Sequence, residues 1–354
     1  MHAAKGTERE RSVTTARLPD RVDVLVVGAG QAGLATSWHL DRAGIDHVVV
    51  DAAVRVGDSW RQRWDSLRLF TPAGANALPG MPMTGTDRHP TKDQAADHLE
   101  RYVDRFGLPV HLDSPVRHLR RGPDGFTAAV RDHVIRARRV VVASGAHRRP
   151  RIPAFAADLD PAIVQLASTD YRNPGRLPDG PVLVVGAANS GAEIALDIAL
   201  AGRHRVHLAG RDVGRLPHLG TPVFTAMRHL RTDRRTGRFL ARLAGRGGDP
   251  LGRVRPRDLT DAGIRREDRI TDVDRGVPVA ESHPLPGLAS VIWCTGLGPD
   301  LSWLAPDLRR TSIAAAPASD LATIGWPYQR TMASHLLGGV GQDAATLIQN
   351  WASS

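Results

Sequence analysis

The chain of 354 residues contains one cysteine, Cys294, and two lysines, Lys5 and Lys92. A single thiol excludes any internal disulfide and makes a reducing cytoplasm the expected compartment. No stretch approaches the ~20 uncharged apolar residues that a membrane-spanning helix needs. The opening residues also lack the apolar core of a signal peptide, so residues 1–20 read as a disordered tail. With lysine so scarce, arginine supplies nearly all of a net charge of +10, as GC-rich coding tends to produce. That charge is dispersed, densest over 231–246, and no nucleic-acid-binding module accompanies it, so nucleic acid is not an expected partner. The fifteen histidines have no paired spacing on a helical face, and His204 with His207 falls on a predicted strand, so no metal site is expected.

The length leaves room for two domains of ordinary size. Residues 22–27 form an apolar, β-branched run, a glycine turn follows, and a helical stretch with Leu34, Trp38 and Leu40 on one side ends at Gly44 before a second apolar run, 48–50. This is a βαβ unit. Residues 54–90, rich in Pro, Gly and Trp, are too long for a simple connection and so are expected to carry function. Thr91 is placed to cap a helix reaching Phe106, and strand-like alternation covers 110–142. At 182–185 the βαβ pattern restarts, with a glycine turn, a helix over 193–200 and a strand at 206–208. A buried strand is predicted at 291–293 and a last helix over 344–351.

The first turn carries Gly28, Gly30, Gln31 and Gly33, with Asp51 closing the second strand. In such a fingerprint the first glycine allows a tight turn, the second admits a pyrophosphate to the backbone, and the third lets helix and strand pack closely; the acid holds ribose hydroxyls. The helix N-terminus then faces the anion. The second turn carries Gly186, Asn189, Ser190 and Gly191, with Ala188 in place of the middle glycine. Its second strand ends in Gly210 and Arg211 with no carboxylate, and a guanidinium there suits a 2′-phosphate. An acid at one site and an arginine at the other fit FAD and NADPH, in that order. Cys294, in a buried apolar run, reads as a small core residue, and Ser190 has no nucleophile-elbow pattern.

The runs Gly28-Ala-Gly-Gln-Ala-Gly33, Arg55-Val-Gly-Asp-Ser-Trp60, Trp64-Asp-Ser-Leu-Arg-Leu-Phe-Thr-Pro72, Pro90-Thr-Lys-Asp93, Val291-Ile-Trp-Cys-Thr-Gly296 and Gly338-Gly-Val-Gly341 carry a resemblance in their order. From about Asp23 onward the chain resembles bacterial flavin-containing monooxygenase-like flavoproteins, which are similar to plant indole-pyruvate monooxygenases. The resemblance implies that Gly57, Trp60, Leu69, Thr71 and Val116 lie on FAD. It also implies that the turns ending in Ser144-Gly145 and Thr295-Gly296 are linkers beside the cofactors where two domains meet. Phe70, Tyr171 and Gln329, with Trp60, are the candidate wall and relay residues, Phe70, Tyr171 and Gln329 standing as the catalytic candidates. Two departures stand out: Ala167 occupies a position where family members often carry histidine, and Phe70 one where animal members place asparagine.

The expected architecture is α/β, with two Rossmann-like dinucleotide-binding domains. An NADPH domain, 153–286, is inserted into an FAD domain made of 21–152 and 287–354. The implied activity is NADPH-driven, flavin-dependent monooxygenation of a small organic substrate with dioxygen, through a flavin C4a-(hydro)peroxide, the hard chemistry belonging to the cofactor. Ala167 and Phe70 favour a flavin reductase or oxidase without oxygen insertion as the alternative, and Ala188 points to a redox-sensing flavoprotein. Residues 223–243 set Phe224, Met227, Leu230, Phe239 and Leu243 among arginines, a pattern open to helices packing on the domain or to an amphipathic membrane contact.

Overall fold

The computed structural model describes residues 17–352, apart from 216–219, 245–249, 282 and 310–318. The first sheet opens with β1 (Arg21–Val27), α1 (Gln31–Arg42) and β2 (His47–Val50), and β1 runs parallel to β2 with Val27 opposite Val50. A long excursion follows: α2 (Asp58–Arg61), α3 (Lys92–Phe106), β3 (Val110–His111), β4 (Val116–Gly122) and β5 (Gly125–Val130), before β6 (His133–Val142) returns alongside β1. The strand order is β3-β2-β1-β6-β5-β4. Valines and Leu25 fill the buried end of β1 on both faces, which is why the strand reads as a continuous apolar run.

α3 begins where the sequence places it. The Thr91 hydroxyl accepts from the Gln94 backbone N–H at 3.1 Å while the Gln94 side chain accepts from the Thr91 N–H at 3.0 Å, a reciprocal cap. Gly107, at φ 58°, stops it.

The chain then crosses through β7 (Arg149–Pro150) to a second sheet built from β8 (Val164–Ala167), β9 (Val182–Val185), α4 (Asn189–Leu200) and β10 (Val206–Ala209). Helices α5 (Thr221–Met227), α6 (Arg235–Ala244) and α7 (Pro256–Asp261) precede β11 (Arg265–Glu267), the hairpin β12 (Ile270–Asp274) and β13 (Val277–Ala280), and β14 (Ser290–Trp293). This sheet has the order β11-β10-β9-β14-β8, all parallel. β15 (Leu297–Gly298) pairs antiparallel with β7, so outgoing and returning crossings lie side by side. β16 (Leu321–Thr323) then adds to the free edge of β6, and α8 (Val340–Ala352) packs on α1.

Several boundaries differ from the sequence reading, among them the start of α4, at Asn189 and not 193. Residues 287–354 were expected with the first sheet, yet β14 is fully buried between β9 and β8 of the second, so the return falls after Cys294. An apolar run buried on both faces carries no mark of which sheet receives it. Of the expected tail, residues 1–16 lie outside the described residues. Pro19 and Asp20 are bonded to β6, through the His133 ring (3.2 Å) and the Arg136 N–H (2.9 Å). The last helix starts at Val340, four residues before the expected Ala344.

The two helices in the 223–243 stretch behave differently. α5 buries Phe224 against Ala75, Ala333 and Leu336, whereas Phe239 of α6 is 66% exposed. Arg228, just past α5, donates to the Ala75 carbonyl at 2.8 Å and latches the excursion to the first unit. Among the described residues no helix is long and apolar enough to cross a membrane.

Tyr171 was expected at the cofactor cleft, and the structure corrects this. The ring is 1% exposed, and its hydroxyl donates to Asp197 of α4 at 2.6 Å. Burial, followed by that carboxylate, raises its pKa. An aromatic after a β-strand reads equally as wall or as core; a partner on α4, invisible in local sequence, decides for core. Tyr171→Phe is therefore expected to lower stability by ~1–3 kcal/mol, the usual cost of stranding a buried acceptor. Thermal unfolding checks this, and an unchanged Tm with altered turnover would contradict the core assignment.

Candidate functional site

The two glycine turns are built alike. Gly28 sits at φ 111° and Gly186 at φ 108°, a region that favours glycine. Their amides donate to the Val50 and Ala209 carbonyls at 2.8 Å, which ties each turn to the strand after its helix. A Cβ on Gly28 would lie 2.4 Å from the Ala143 carbonyl oxygen, and one on Gly186 2.2 Å from that of Cys294. A Cβ on Gly33 would lie 1.8 Å from the Gly28 oxygen, and on Gly191 1.7 Å from the Gly186 oxygen. The first and third glycines are thus fixed by protein packing alone.

The middle position is different. A Cβ on Gly30 would meet no protein atom within 4 Å, so packing gives no reason for glycine there. Its backbone (φ −77°, ψ −177°) matches that of Ala188 (φ −78°, ψ −173°), and neither α1 nor α4 has a side-chain cap on its first N–H groups. Each helix start thus offers unsatisfied donors and positive potential to an anion. The side chains of Gln31 and Ser190 are half-buried beside these starts.

What surrounds the two turns separates them. At the first, Asp51 accepts from the Ala29 amide at 2.5 Å and the Ala53 amide at 2.7 Å. Ser144, whose amide nitrogen lies 3.0 Å from where a Gly28 Cβ would be, has a buried hydroxyl with no hydrogen-bond partner. At the second, Arg211 is exposed after Gly210 (φ 136°), and Arg266 of β11 donates to the Gly210 carbonyl at 2.8 Å. Sequence reasoning missed Arg266, since strand pairing alone brings it there. The Asn189 amide is committed elsewhere: it donates to the Pro250 carbonyl at 3.1 Å and accepts from the Gly252 N–H at 2.9 Å.

The remaining candidates divide. Gly57 (φ 84°) packs its backbone on Ala96 of α3, where a Cβ would come within 2.8 Å. Trp60, on α2, packs against the core, Leu69 lies inside it, and the buried Thr71 hydroxyl donates to Asn76 at 2.7 Å. Asn76, fully buried and bonded also to the Thr71 and Pro72 carbonyls, is the residue that shapes this loop, and sequence reading passed over it. Val116 is half-buried at the start of β4. Phe70 is 43% exposed, with Phe224 on one side (6.1 Å between centroids) and Gly252 on another. Gly145 (φ 87°) and Gly296 (φ 97°) have open space where a Cβ would be, and Thr295 donates to the Arg151 carbonyl at 2.5 Å.

A group of polar side chains adjoins β16. Gln329 donates to the Thr323 carbonyl and hydroxyl at 2.9 and 2.7 Å, while its own side-chain oxygen and the Trp326 indole nitrogen are buried without hydrogen-bond partners. In the first turn of α8, burial pushes Asp343 up to about 6, against the opposing pull of Ser334 and Arg330. Burial likewise pushes the Cys294 thiol up to about 12, in keeping with a packing role and an unreactive sulfur.

The model of the pyridine nucleotide-disulphide oxidoreductase family matches residues 25–218, more than half of the chain. The chain belongs to that family. Family membership makes it an oxidoreductase, and the matched stretch takes in both glycine turns. Over 349 residues it is 34% identical to an uncharacterized CzcO-like oxidoreductase of Geobacillus kaustophilus, covering 93% of this chain and 98% of the relative. It is 31% identical over 214 residues to an indole-3-pyruvate monooxygenase of Oryza sativa subsp. japonica, covering 55% of this chain and 51% of that one. A flavin-containing monooxygenase from Stenotrophomonas maltophilia has the same α/β fold, with a TM-score of 0.74 at 24% identity over 95% of this chain and 99% of that one.

Because space at Gly30 is open, Gly30→Val is expected to fold normally yet lose flavin, the branched side chain standing where a pyrophosphate must touch backbone. Purified variant protein should be colourless, with the Tm of wild type stripped of its flavin; a yellow variant with the normal flavin-to-protein ratio would remove the first turn from flavin binding.

Proposed function

We propose that this oxidoreductase is an FAD-dependent, NADPH-driven monooxygenase acting on a small organic substrate. The observation that carries the reading is the pair of matched glycine turns with opposite surroundings, Asp51 at one and Arg211 with Arg266 at the other. The likeness to the rice indole-3-pyruvate monooxygenase and to the Stenotrophomonas flavin-containing monooxygenase supports it. In this reading FAD belongs to residues 21–152 with the segment after 296, and NADPH to the intervening unit, whose last strand is β14.

The residues fit both groups. The open backbone at Gly30, the free N–H groups opening α1 and the partnerless Ser144 hydroxyl suit a flavin dinucleotide. Ala188 keeps the same backbone course at α4, whose free N–H groups would hold the phosphates of the second dinucleotide. Bound flavin would take hydride from the nicotinamide and pass electrons to dioxygen. The protein's work is placement and dryness: the glycine turns fix the two dinucleotides, Phe70 and Trp60 supply apolar wall, and Gln329 presents an oxygen with no partner of its own.

A second reading, an NADPH-dependent flavin reductase or oxidase without oxygen insertion, is favoured by one position. Ala167, where related monooxygenases often carry histidine, is 3% exposed at the end of β8 and has no polar atom to offer. Tyr171, four residues on, is spent on Asp197.

Two measurements test the proposal. Arg211→Glu should raise KM for NADPH far more than for NADH, since a charge-assisted phosphate contact is typically worth ~1.5–3 kcal/mol; equal losses with both nucleotides would take the 2′-phosphate away from Arg211. With no donor at Ala167, wild-type protein is expected to oxidise NADPH without substrate and release hydrogen peroxide, one missing donor in a dry site costing ~1–3 kcal/mol. Peroxide per NADPH is the quantity to follow. Tight coupling would support the monooxygenase and remove Ala167 as a weakness, whereas stoichiometric peroxide that no organic acceptor suppresses would favour the oxidase.

A further inference from the structure

Arg63, Arg148 and Arg172 stand on adjoining segments where the two units face each other, and none has a carboxylate partner within ion-pair distance. Arg63, two residues past α2, is half-buried, and its guanidinium donates to a single protein acceptor, the His147 carbonyl, at a long 3.3 Å. That bond sets it beside Arg148 on the outgoing crossing, which is itself anchored by its amide on the Gly298 carbonyl at 2.8 Å. Arg172 comes from the second unit: the Asp65 amide donates to the Arg172 carbonyl at 2.8 Å, which brings that backbone within two residues of Arg63. One Arg172 nitrogen serves the Thr169 and Tyr171 carbonyls at 2.7 and 3.0 Å.

The nearby acids are already engaged. Asp65 accepts from the Asn173 amide at 2.7 Å, and Asp300 accepts from the Ser302 hydroxyl at 2.7 Å and its amide at 3.1 Å. Arg148 and Arg149 add only a lesser pull on Asp300. Burial first, then the Arg148 and Arg172 charges, lower the Arg63 pKa. A guanidinium stays charged regardless. Its five N–H donors are thus held in a half-buried place, against like charge and with one weak acceptor, which is costly unless an anion completes the set. Packing does not require this arrangement, because a neutral side chain at 63 would remove the cost.

We propose that Arg63, Arg148 and Arg172 form an anion site at the seam of the two units, taking a carboxylate or phosphate group of the ligand that enters there. Guanidiniums grip such groups in bidentate fashion, with geometry as well as charge. Arg148 follows Gly145 by three residues, so the site lies on the crossing that leaves the first sheet. The inference rests on the dinucleotide reading above and deepens it: the anion is either the carboxylate of the substrate or a phosphate of the nicotinamide nucleotide.

The test is calorimetric titration of the purified flavin-containing protein with benzoate, with benzyl alcohol as the neutral counterpart, and with NADP+. Arg63→Met is expected to weaken one of the two anions roughly tenfold or more, as loss of a charge-assisted bidentate contact does. Arg63→Lys should restore part of the loss, and Arg148→Gln, at an exposed position the fold does not need, should weaken the same anion. Benzoate lost with NADP+ unchanged assigns the site to a substrate carboxylate; NADP+ lost with benzoate unchanged assigns it to the nucleotide phosphate. The proposal is overturned if Arg63→Met, with native flavin content, binds both anions as wild type does, or if benzyl alcohol weakens as much as benzoate. Failure of the dinucleotide reading would show itself separately, as wild-type protein that purifies without flavin.

Discussion

Everything else in the structure depends on how closely each of α1 and α4 approaches the glycine turn before it. With less than 2 Å between a hypothetical Cβ on Gly33 and the Gly28 carbonyl, and the same at Gly191 and Gly186, only hydrogen fits at the third glycine. That contact brings the start of the helix up against the end of the strand, so its free N–H groups point into the crevice at the carboxyl ends of the strands. It also fixes the neighbour on the other side. The carbonyls of Ala143 and Cys294 press against Gly28 and Gly186, so β6 must lie beside β1 and β14 beside β9.

The same backbone geometry is given different surroundings at the two turns by the side chains attached to it. At the first turn a carboxylate is folded inward onto the Ala29 and Ala53 amides, and a serine hydroxyl is left over. At the second, the equivalent place has no acid, and the adjacent strand lends a guanidinium that grips the Gly210 carbonyl. Chemical identity resides in a handful of side chains at strand ends, while the scaffold is used twice.

Much of this was legible in the sequence because it is written locally. The strand–turn–helix units, the cap at Thr91 and the stop at Gly107 each follow from residues within a few positions of one another. The resemblance in motif order carried the family. What stayed illegible depends on distant partners. β14 and β16 are short apolar runs that either sheet could take, and hydrogen bonds to strands far away in sequence decide. Tyr171 and Asn189 were read from position as site residues, yet Asp197 and the 250–252 segment claim their polar atoms. Arg63 was one arginine in a chain full of them until the fold set it beside two others with no acid to answer it.

The paired crossings have a mechanical consequence. Because β7 and β15 are hydrogen-bonded as an antiparallel ribbon, Leu297 opposite Pro150 and Gly298 opposite Arg149, the two units are joined by a strap and not by two independent tethers. A two-stranded strap bends readily across its flat face but resists stretching and shearing in its own plane. Bending across the face of the ribbon is therefore the softest movement the crossings themselves permit, and any such movement must also work against the Arg228–Ala75 and Asp65–Arg172 hydrogen bonds that tie the units elsewhere.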